Sequence, residues 1–156
     1  MDRQAALESV RKNVVNENLV RHMLATEAIM RAIARRLGGN EDEWGLAGLL
    51  HDIDVELTGG DMAAHSKLGA GLARDLGAGE AVANAILCHN EYHGVKAATP
   101  MEKALFCADP LTGLITAAVL VRPEKKIALL EATSVRKHFK EKSFAVGANR
   151  EQTFFV

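Results

Sequence analysis

Apolar residues recur along this chain at intervals of three and four positions, which is the spacing of amphipathic α-helices. One such segment runs from about Glu17 to Leu37, and Gly38-Gly39 supplies its end. Asn40 is a suitable N-cap for a second helix, which carries apolar residues from Trp44 to Leu50 and ends near the pair His51-Asp52. The alternating β-branched residues that mark strands are hard to find. The pattern therefore predicts an all-α fold.

Two further helices are predicted in the middle of the chain. Asp61 is the expected N-cap of a helix that extends to about residue 76. Glu80 begins the next helix, which carries His89 and His93 along one face, and Gly94 ends it. The two histidines are one helical turn apart on this prediction, so they could bind a single ion together.

A long apolar helix is predicted to begin at Thr99-Pro100-Met101-Glu102, which combines an N-cap, a first-turn proline and a reciprocal glutamate. Asp109 interrupts its apolar run, and Pro110 directly after it is expected to kink or break the helix. Two shorter helical patterns follow Pro123. Residues 122–142 contain seven Lys or Arg against three Glu, so this part of the chain is locally basic.

Composition narrows the class of protein. The chain has 156 residues, of which 48% are apolar, and this is enough for one core and one domain spanning residues 1–156. Its 19 basic and 20 acidic residues give a net charge of -1, so we expect neither a nucleic acid polymer nor a membrane as partner. Apolar stretches such as Leu114–Val121 are shorter than the roughly 20 residues of a membrane span. We expect a cytoplasmic protein.

Histidine and aspartate carry the candidate chemistry. Three histidines, His22, His65 and His89, lie on the apolar faces of their predicted helices. Asp52 and Asp109 are embedded in apolar runs, where a carboxylate costs several kcal/mol unless a cation meets it. Each histidine taken alone is more often structural than a ligand. Together, in a sequence without matching buried Lys or Arg, they indicate that the missing positive charge is a metal ion.

The order of these residues resembles the HD superfamily of metal-dependent phosphohydrolases. The resemblance covers about residues 18–120, leaves 121–156 as a C-terminal helical extension, and implies a compact helical bundle. It implies that a first histidine, a His-Asp doublet and a distant aspartate bind one metal, and that two further histidines bind a second metal, with Asp52 bridging both. The implied ligands are His22, His51, Asp52, His65, His89 and Asp109. Residues 108–113 and 142–151 also resemble a small branch of this superfamily.

The ligand types suit one or two divalent transition-metal ions, namely Fe, Mn, Co, Ni or Zn. The resemblance implies hydrolysis of a phosphoester or phosphoanhydride of a small metabolite or nucleotide by a metal-activated water near Asp52. The expected partner is therefore a small phosphorylated substrate. Many signalling members follow the doublet with Ile-Gly-Lys, whereas this chain has Ile53-Asp54-Val55 and no Gly-Tyr-Pro motif. A cyclic-dinucleotide phosphodiesterase is therefore disfavoured.

Several other residues are candidates for the site. Asp54 either orients a ligand histidine or accepts a proton, and the alternative is a solvated carboxylate in a turn. His93 has three interpretations, which are support of a ligand, contact with substrate, or no role. Positive side chains are candidate phosphate binders, although a basic run is usually a solvated helix face: Lys67, Lys142 and Arg150.

Two other functions remain open on the sequence. Some relatives of this type use the same ligands as a di-iron centre that activates oxygen, which would require iron and consume oxygen. A metal-dependent nucleotide-binding or regulatory module would instead bind a nucleotide stably and form no product. Oligomeric state is also open, because Trp44 and the terminal Phe154-Phe155-Val156 could pack on the same chain or on a neighbouring subunit.

Overall fold

The computed structural model describes residues 1–141, 143–146 and 148–151. These residues form helices and turns without any strand, so the predicted all-α class is confirmed. Short 3-10 helices occupy Glu91–His93 and Ile127–Leu129. The α-helices follow one another in this order: α1 (Arg3–Asn13), α2 (Glu17–Leu37), α3 (Glu41–Leu50), α4 (Val55–Thr58), α5 (Lys67–Asp75), α6 (Glu80–His89), α7 (Pro100–Leu120) and α8 (Ala132–Lys140).

Helix α2 has the bounds that the sequence predicts, because local signals fix both of its ends. The Asn16 side chain accepts from the backbone of Asn18 at the start, and Gly38 adopts the left-handed conformation at the end. Asn40 then caps α3 as predicted, accepting from the N–H groups of Asp42 and Glu43. Helix α2 packs against both α3 and α7, so it forms one wall of the bundle.

Helix α3 lies at the centre of the bundle, and every residue from Trp44 to Leu50 is buried. It crosses α2 at very short range at Gly48, where an added Cβ would lie 2.8 Å from the Thr26 carbonyl oxygen and 2.8 Å from the Glu27 amide nitrogen. Only glycine permits this approach. The crossing sets the distance between the end of α3 and the middle of α2, which carries His22.

Two of the predicted helices differ from the structure. Helix α5 begins at Lys67, because residues 62–66 form turns and Ser66 adopts a φ of 65°. The prediction that Asp61 caps this helix is wrong, since its carboxylate accepts instead from the nearby Ala63 N–H. Helix α6 ends at His89, so His93 lies in a separate 3-10 turn and does not share the face of His89. Gly94 ends that turn in the left-handed conformation.

Helix α7 continues through Pro110, so of the predicted kink or break, the break is wrong. The helix is buried on both sides of the proline, at Leu105 and Ala108 before it and Leu114 after it, and this packing outweighs the lost hydrogen bond. Its predicted capping box at Thr99 and Glu102 is present.

Helix α7 is also the one helix in the described part of the chain that is long and apolar enough to cross a membrane by length and composition. Core helices of soluble proteins meet the same criterion, and α7 packs against α2, α3, α6 and α8. Helix α1, which the sequence patterns did not predict, packs on α3 through the buried Ala6 and Val10. Helix α8 contacts α7 and completes the described bundle.

Candidate metal centre

Ring nitrogens and carboxylate oxygens from α2, α3 and α7 meet at one point in the bundle. His22 Nε2 lies 3.0 Å from Asp109 Oδ1 and 3.1 Å from His51 Nε2. Asp52 Oδ2 faces the same point, at 3.3 Å from His51 Nε2 and 3.6 Å from His22 Nε2. Residues that are 87 positions apart in the chain, His22 and Asp109, are therefore direct neighbours here.

The other oxygen of Asp52 faces a second group of ligands. Asp52 Oδ1 lies 3.4 Å from His89 Nε2 and 3.5 Å from His65 Nε2. The rings of His65 and His89 meet edge to face, with centroids 5.1 Å apart. The structure thus brings together all six side chains that the resemblance implies as ligands, in two halves joined by the carboxylate of Asp52. Two overlapping triads could hold a metal ion: His22, His51 and Asp109; His51, Asp52 and His89.

Hydrogen bonds behind the rings fix the tautomer of each histidine. His51 Nδ1 lies 2.8 Å from the Gly48 carbonyl oxygen, and His89 Nδ1 lies 2.6 Å from the Ile86 carbonyl oxygen. A carbonyl oxygen only accepts, so Nδ1 carries the hydrogen in both rings. The Nε2 atoms of His51 and His89 therefore present lone pairs to the centre.

The other two histidines are held in the same way by side chains. Thr112 Oγ1 donates its single hydrogen to the Asp109 carbonyl at 2.7 Å, so it accepts from His22 Nδ1, also at 2.7 Å. His65 Nδ1 donates to Asp54 Oδ1 at 2.9 Å. All four rings thus direct Nε2 lone pairs inward, which is how protein ligands to a metal are oriented.

This arrangement fits a bound divalent cation. Two lone-pair nitrogens 3.1 Å apart, as in His22 and His51, repel each other unless a positive charge lies beside both. Ligands that bind one ion at about 2.0–2.2 Å are themselves about 2.9–3.5 Å apart, and the distances to Asp109 and Asp52 of 3.0 Å and 3.3 Å fall in that range. Imidazole and carboxylate donors together suit a transition metal.

The pKa values of the metal-free protein also favour a bound cation. Burial lowers the pKa of His51, but the attraction of Asp52 and Asp109 is larger and raises that pKa to about 9. Burial raises the pKa of Asp52, and the neighbouring His51 and His89 lower it well below its usual value. The pKa of Asp109 is likewise lowered, because contact with His22 and the field of His51 outweigh burial. The site therefore stabilises positive charge at its centre.

Asp54 is fully buried and binds three donors. Besides His65 Nδ1, its carboxylate accepts from the backbone N–H groups of Ser66 and Gly69, each at 2.8 Å. These bonds connect the segment just after the His51-Asp52 doublet to the first turn of α5. The hydrogen bond from His65 to Asp54 raises the pKa of His65. A Cβ on Gly69 would lie 3.2 Å from the Asp54 carboxylate, so a glycine is suited to this approach. Asp54 thus orients His65 and is not a solvated turn residue.

His93 and Asn90 both hold the backbone of His65. His93 Nε2 lies 2.7 Å from the His65 carbonyl oxygen, and the Asn90 side-chain amide donates to the same oxygen at 3.1 Å. Asn90 also donates to the Met62 carbonyl and accepts from the Tyr92 N–H. Sequence reasoning missed Asn90 and Thr112, because nothing in the local pattern distinguishes a polar residue that supports a ligand from an ordinary polar residue at a helix end or within a helix.

Two cavities open onto the centre. One of about 510 Å³ is lined by Asp52, His65, His89 and Asp109 together with the 3-10 turn at Tyr92. The other, of about 480 Å³, lies on the outer side of the His22–Asp109 pair. Three residues of the C-terminal segment line this second cavity: Ala145, Ala148 and Asn149.

The three predicted phosphate binders are placed differently. Lys67 is exposed at the first turn of α5 and lines neither cavity. Arg150 donates to the carbonyl oxygens of Phe139, Glu141 and Phe144, so its guanidinium stabilises its own segment. Lys142 lies outside the described residues.

Comparison with known sequences shows which family the chain belongs to. The family model of the HD domain matches residues 19–114 of the chain. The chain belongs to the HD-domain family. Its HD relatives include ribonuclease Y of Sulfurovum sp., which is 33% identical over 144 residues that cover 90% of this chain and 28% of the relative.

Ribonuclease Y of Campylobacter jejuni is 34% identical over 139 residues, which cover 86% of this HD protein and 26% of the relative. Ribonuclease Y of Thermotoga petrophila is 34% identical over 143 residues, which cover 86% of the chain and 27% of the relative. The chain thus spans little more than a quarter of these longer proteins. No solved structure was found to match it. Membership places the chain in a family of metal-dependent phosphohydrolases, as the resemblance implied.

Proposed function

We propose that this HD protein is a metal-dependent phosphohydrolase. It cleaves a phosphoester or phosphoanhydride bond of a small metabolite or nucleotide, with water as the nucleophile. The observation that supports this most strongly is the set of four histidines whose Nδ1 atoms are all occupied, so that four Nε2 lone pairs face the two carboxylates of Asp52 and Asp109 in one centre with two halves. A divalent transition-metal ion bound there lowers the pKa of a bound water and neutralises charge on phosphoryl oxygens.

The protein's own residues supply the rest of the chemistry. His22, His51 and Asp109 hold one half of the centre, His65 and His89 hold the other, and Asp52 joins the halves. The solvent-facing side of the centre opens into the 510 Å³ cavity, which is large enough for a phosphate and the group attached to it. Asp52 also accepts a hydrogen bond from the attacking water and so orients it.

Asp54 and His93 are proposed as positioning residues. Asp54 keeps the His65 ring turned with Nε2 toward the centre, because it accepts the hydrogen on Nδ1. His93 keeps the His65 backbone in place by binding its carbonyl oxygen at 2.7 Å. Neither side chain needs to touch substrate in this account. Lys67 and Arg150 are left without a place near the scissile phosphate.

The substrate proposed for the site is a nucleotide or another small phosphorylated compound. The relatives named ribonuclease Y support a hydrolase that acts on a phosphodiester of a nucleotide. We propose a cytoplasmic location and a single domain that includes residues 121–156. The packing of α8 against α7 supports the single domain.

Hydrolysis by the reconstituted protein tests this function. Metal-free protein is loaded with Mn, Co, Ni, Zn or Fe and assayed for phosphate or nucleotide release from phosphate esters and dinucleotides, without oxygen. We expect activity with at least one metal, its loss in Asp52→Ala, and its retention in Asp75→Ala, an exposed carboxylate on α5. Full activity of Asp52→Ala would contradict the proposal. Activity only with iron and oxygen uptake would indicate the di-iron oxygenase instead.

A further inference from the structure

A second groove lies next to the metal centre and carries lysines. It has a volume of about 430 Å³ and shares Glu91 with the 510 Å³ cavity, which four of the six ligands line. Its walls come from the segment after the 3-10 turn and from the first half of α7. The residues that line it are Glu91, Gly94, Val95, Lys96, Ala97, Lys103 and Phe106.

Helix geometry connects this groove to the ligands. Lys103, Phe106 and Asp109 are spaced three residues apart on α7, so they follow one ridge of the helix. At about 1.5 Å of rise per residue, Lys103 lies about 9 Å along the axis from Asp109. Phe106 lies between Asp109 and Lys103 on this ridge, and it lines the groove together with Lys103.

The two lysines have no acidic partner among the residues that the structure describes. Within the described residues, neither Lys96 nor Lys103 takes part in an ion pair or a side-chain hydrogen bond. Lys103 is half-buried in the groove. Among the described residues that line the groove, Glu91 is the one carboxylate, and it also lines the metal cavity. The far end is therefore cationic, next to a centre that contains two aspartates.

We infer that this groove binds the phosphate next to the scissile one, so that the preferred substrate is a short oligonucleotide and not a compound with one phosphate. The inference rests on the proposed function. The flanking phosphate lies between Lys96 and Lys103, and the nucleoside between the two phosphates lies along the apolar wall of Val95 and Phe106. Lysines beside an aromatic ring are how proteins bind single strands without reading their sequence.

Binding of a matched ligand pair tests the groove without needing turnover. The ligand is a phosphorothioate-linked dinucleotide that resists hydrolysis, with no terminal phosphate or with one at the 5′ or the 3′ end. We expect one terminal phosphate to tighten binding to the metal-loaded protein about tenfold, as a charge-assisted contact does. The gain is lost in Lys103→Gln and Lys96→Gln. It is kept in Lys103→Arg and in Lys12→Gln, which changes an exposed lysine on α1.

The inference is wrong if no terminal phosphate tightens binding to the wild type, or if the gain persists in both glutamine variants. Hydrolysis of unprotected dinucleotides then separates the two claims. If the terminal phosphate tightens binding through Lys103 but no metal supports cleavage, the groove is supported and the hydrolase proposal is wrong. If Lys103→Gln cleaves dinucleotides at the wild-type rate and the terminal phosphate does not tighten binding, the hydrolase proposal is supported and the groove is wrong.

Discussion

Individual residues determine the direction in which each ligand faces. The hydroxyl of Thr112 is an example, since it donates to the Asp109 carbonyl and therefore accepts the hydrogen of His22 Nδ1. The same side chain thus fixes a tautomer on α2 from a position on α7. A sequence pattern identifies His22 and Asp109 as candidates, but it contains no sign that a threonine between apolar residues connects them.

Replacing Thr112 by valine tests this role. The variant keeps the volume of the side chain but removes the acceptor, so His22 can shift its hydrogen to Nε2 and lose its lone pair toward the centre. We expect metal affinity to fall about 10- to 100-fold, with helix content unchanged. Titration with Mn or Zn against a competing chelator measures this, and Thr133→Val, an exposed position on α8, is the control. Unchanged affinity in Thr112→Val would contradict the assignment of the tautomer.

The raised pKa of His51 predicts how the stability of the metal-free protein depends on pH. Its pKa in the metal-free fold is raised from 6.5 to about 9, since Asp52 and Asp109 outweigh burial. A raised pKa means that the folded state binds the proton more tightly, so its contribution is complete below pH 6.5 and is lost as pH rises through about 9. We expect urea denaturation with chelator present to show falling stability over this window. Metal-loaded protein should not show the decline, because metal replaces the proton.

At the scale of helices, local signals predict ends well where capping residues act on their own helix. Asn16 with Gly38 and Thr99 with Glu102 are such cases, and both helices begin or end where the pattern indicates. The start of α5 could not be predicted in this way. Its first N–H groups bind the carboxylate of Asp54, a residue outside the helix, and Ser66 adopts the left-handed conformation that this requires.

The crossing of α2 and α3 depends on Gly48. A methyl group there would meet backbone atoms of Thr26 and Glu27 at 2.8 Å, and backbone cannot move aside as a side chain can. We expect Gly48→Ala to lower the free energy of unfolding by about 1–3 kcal/mol. It should also weaken metal binding, because it separates His51 from His22.

Gly71→Ala is the matched control for Gly48→Ala. Gly71 lies inside α5 with nothing within 4 Å of an added Cβ, and alanine there should leave the protein as stable or raise its stability by up to about 1 kcal/mol. Chemical denaturation of both variants with chelator present measures the difference. Equal stability of the two alanine variants would show that the close crossing is not needed.

At the scale of the whole molecule, the bundle assembles a centre from distant parts of the chain. The ligands come from α2, the end of α3, the turn before α5, the end of α6 and the middle of α7. The sequence order of these residues was sufficient to predict the family, and the spacing of apolar residues was sufficient to predict the helical class. It was not sufficient to predict that His93 leaves the helix of His89, since that change depends on Asn90, which turns the chain to bind the backbone of His65.

A metal ion bound at this centre also stabilises the fold. An ion bound to side chains from several helices binds the folded state and not the unfolded chain, so it adds stability by mass action. Removal of metal is therefore expected to lower the midpoint of thermal unfolding without abolishing the fold. The apolar core of α2, α3, α6 and α7 is formed by contacts that do not involve the ligands.

Metal content per chain is the most direct test of this account. Elemental analysis of the tag-free protein, after reconstitution and removal of free metal, should give close to two transition-metal ions for the wild type. His65→Ala should give close to one, because His22, His51, Asp52 and Asp109 remain. Two ions in both proteins would contradict the role of His65. No bound metal in either would mean that the histidine and aspartate cluster is structural and that the hydrolase proposal is wrong.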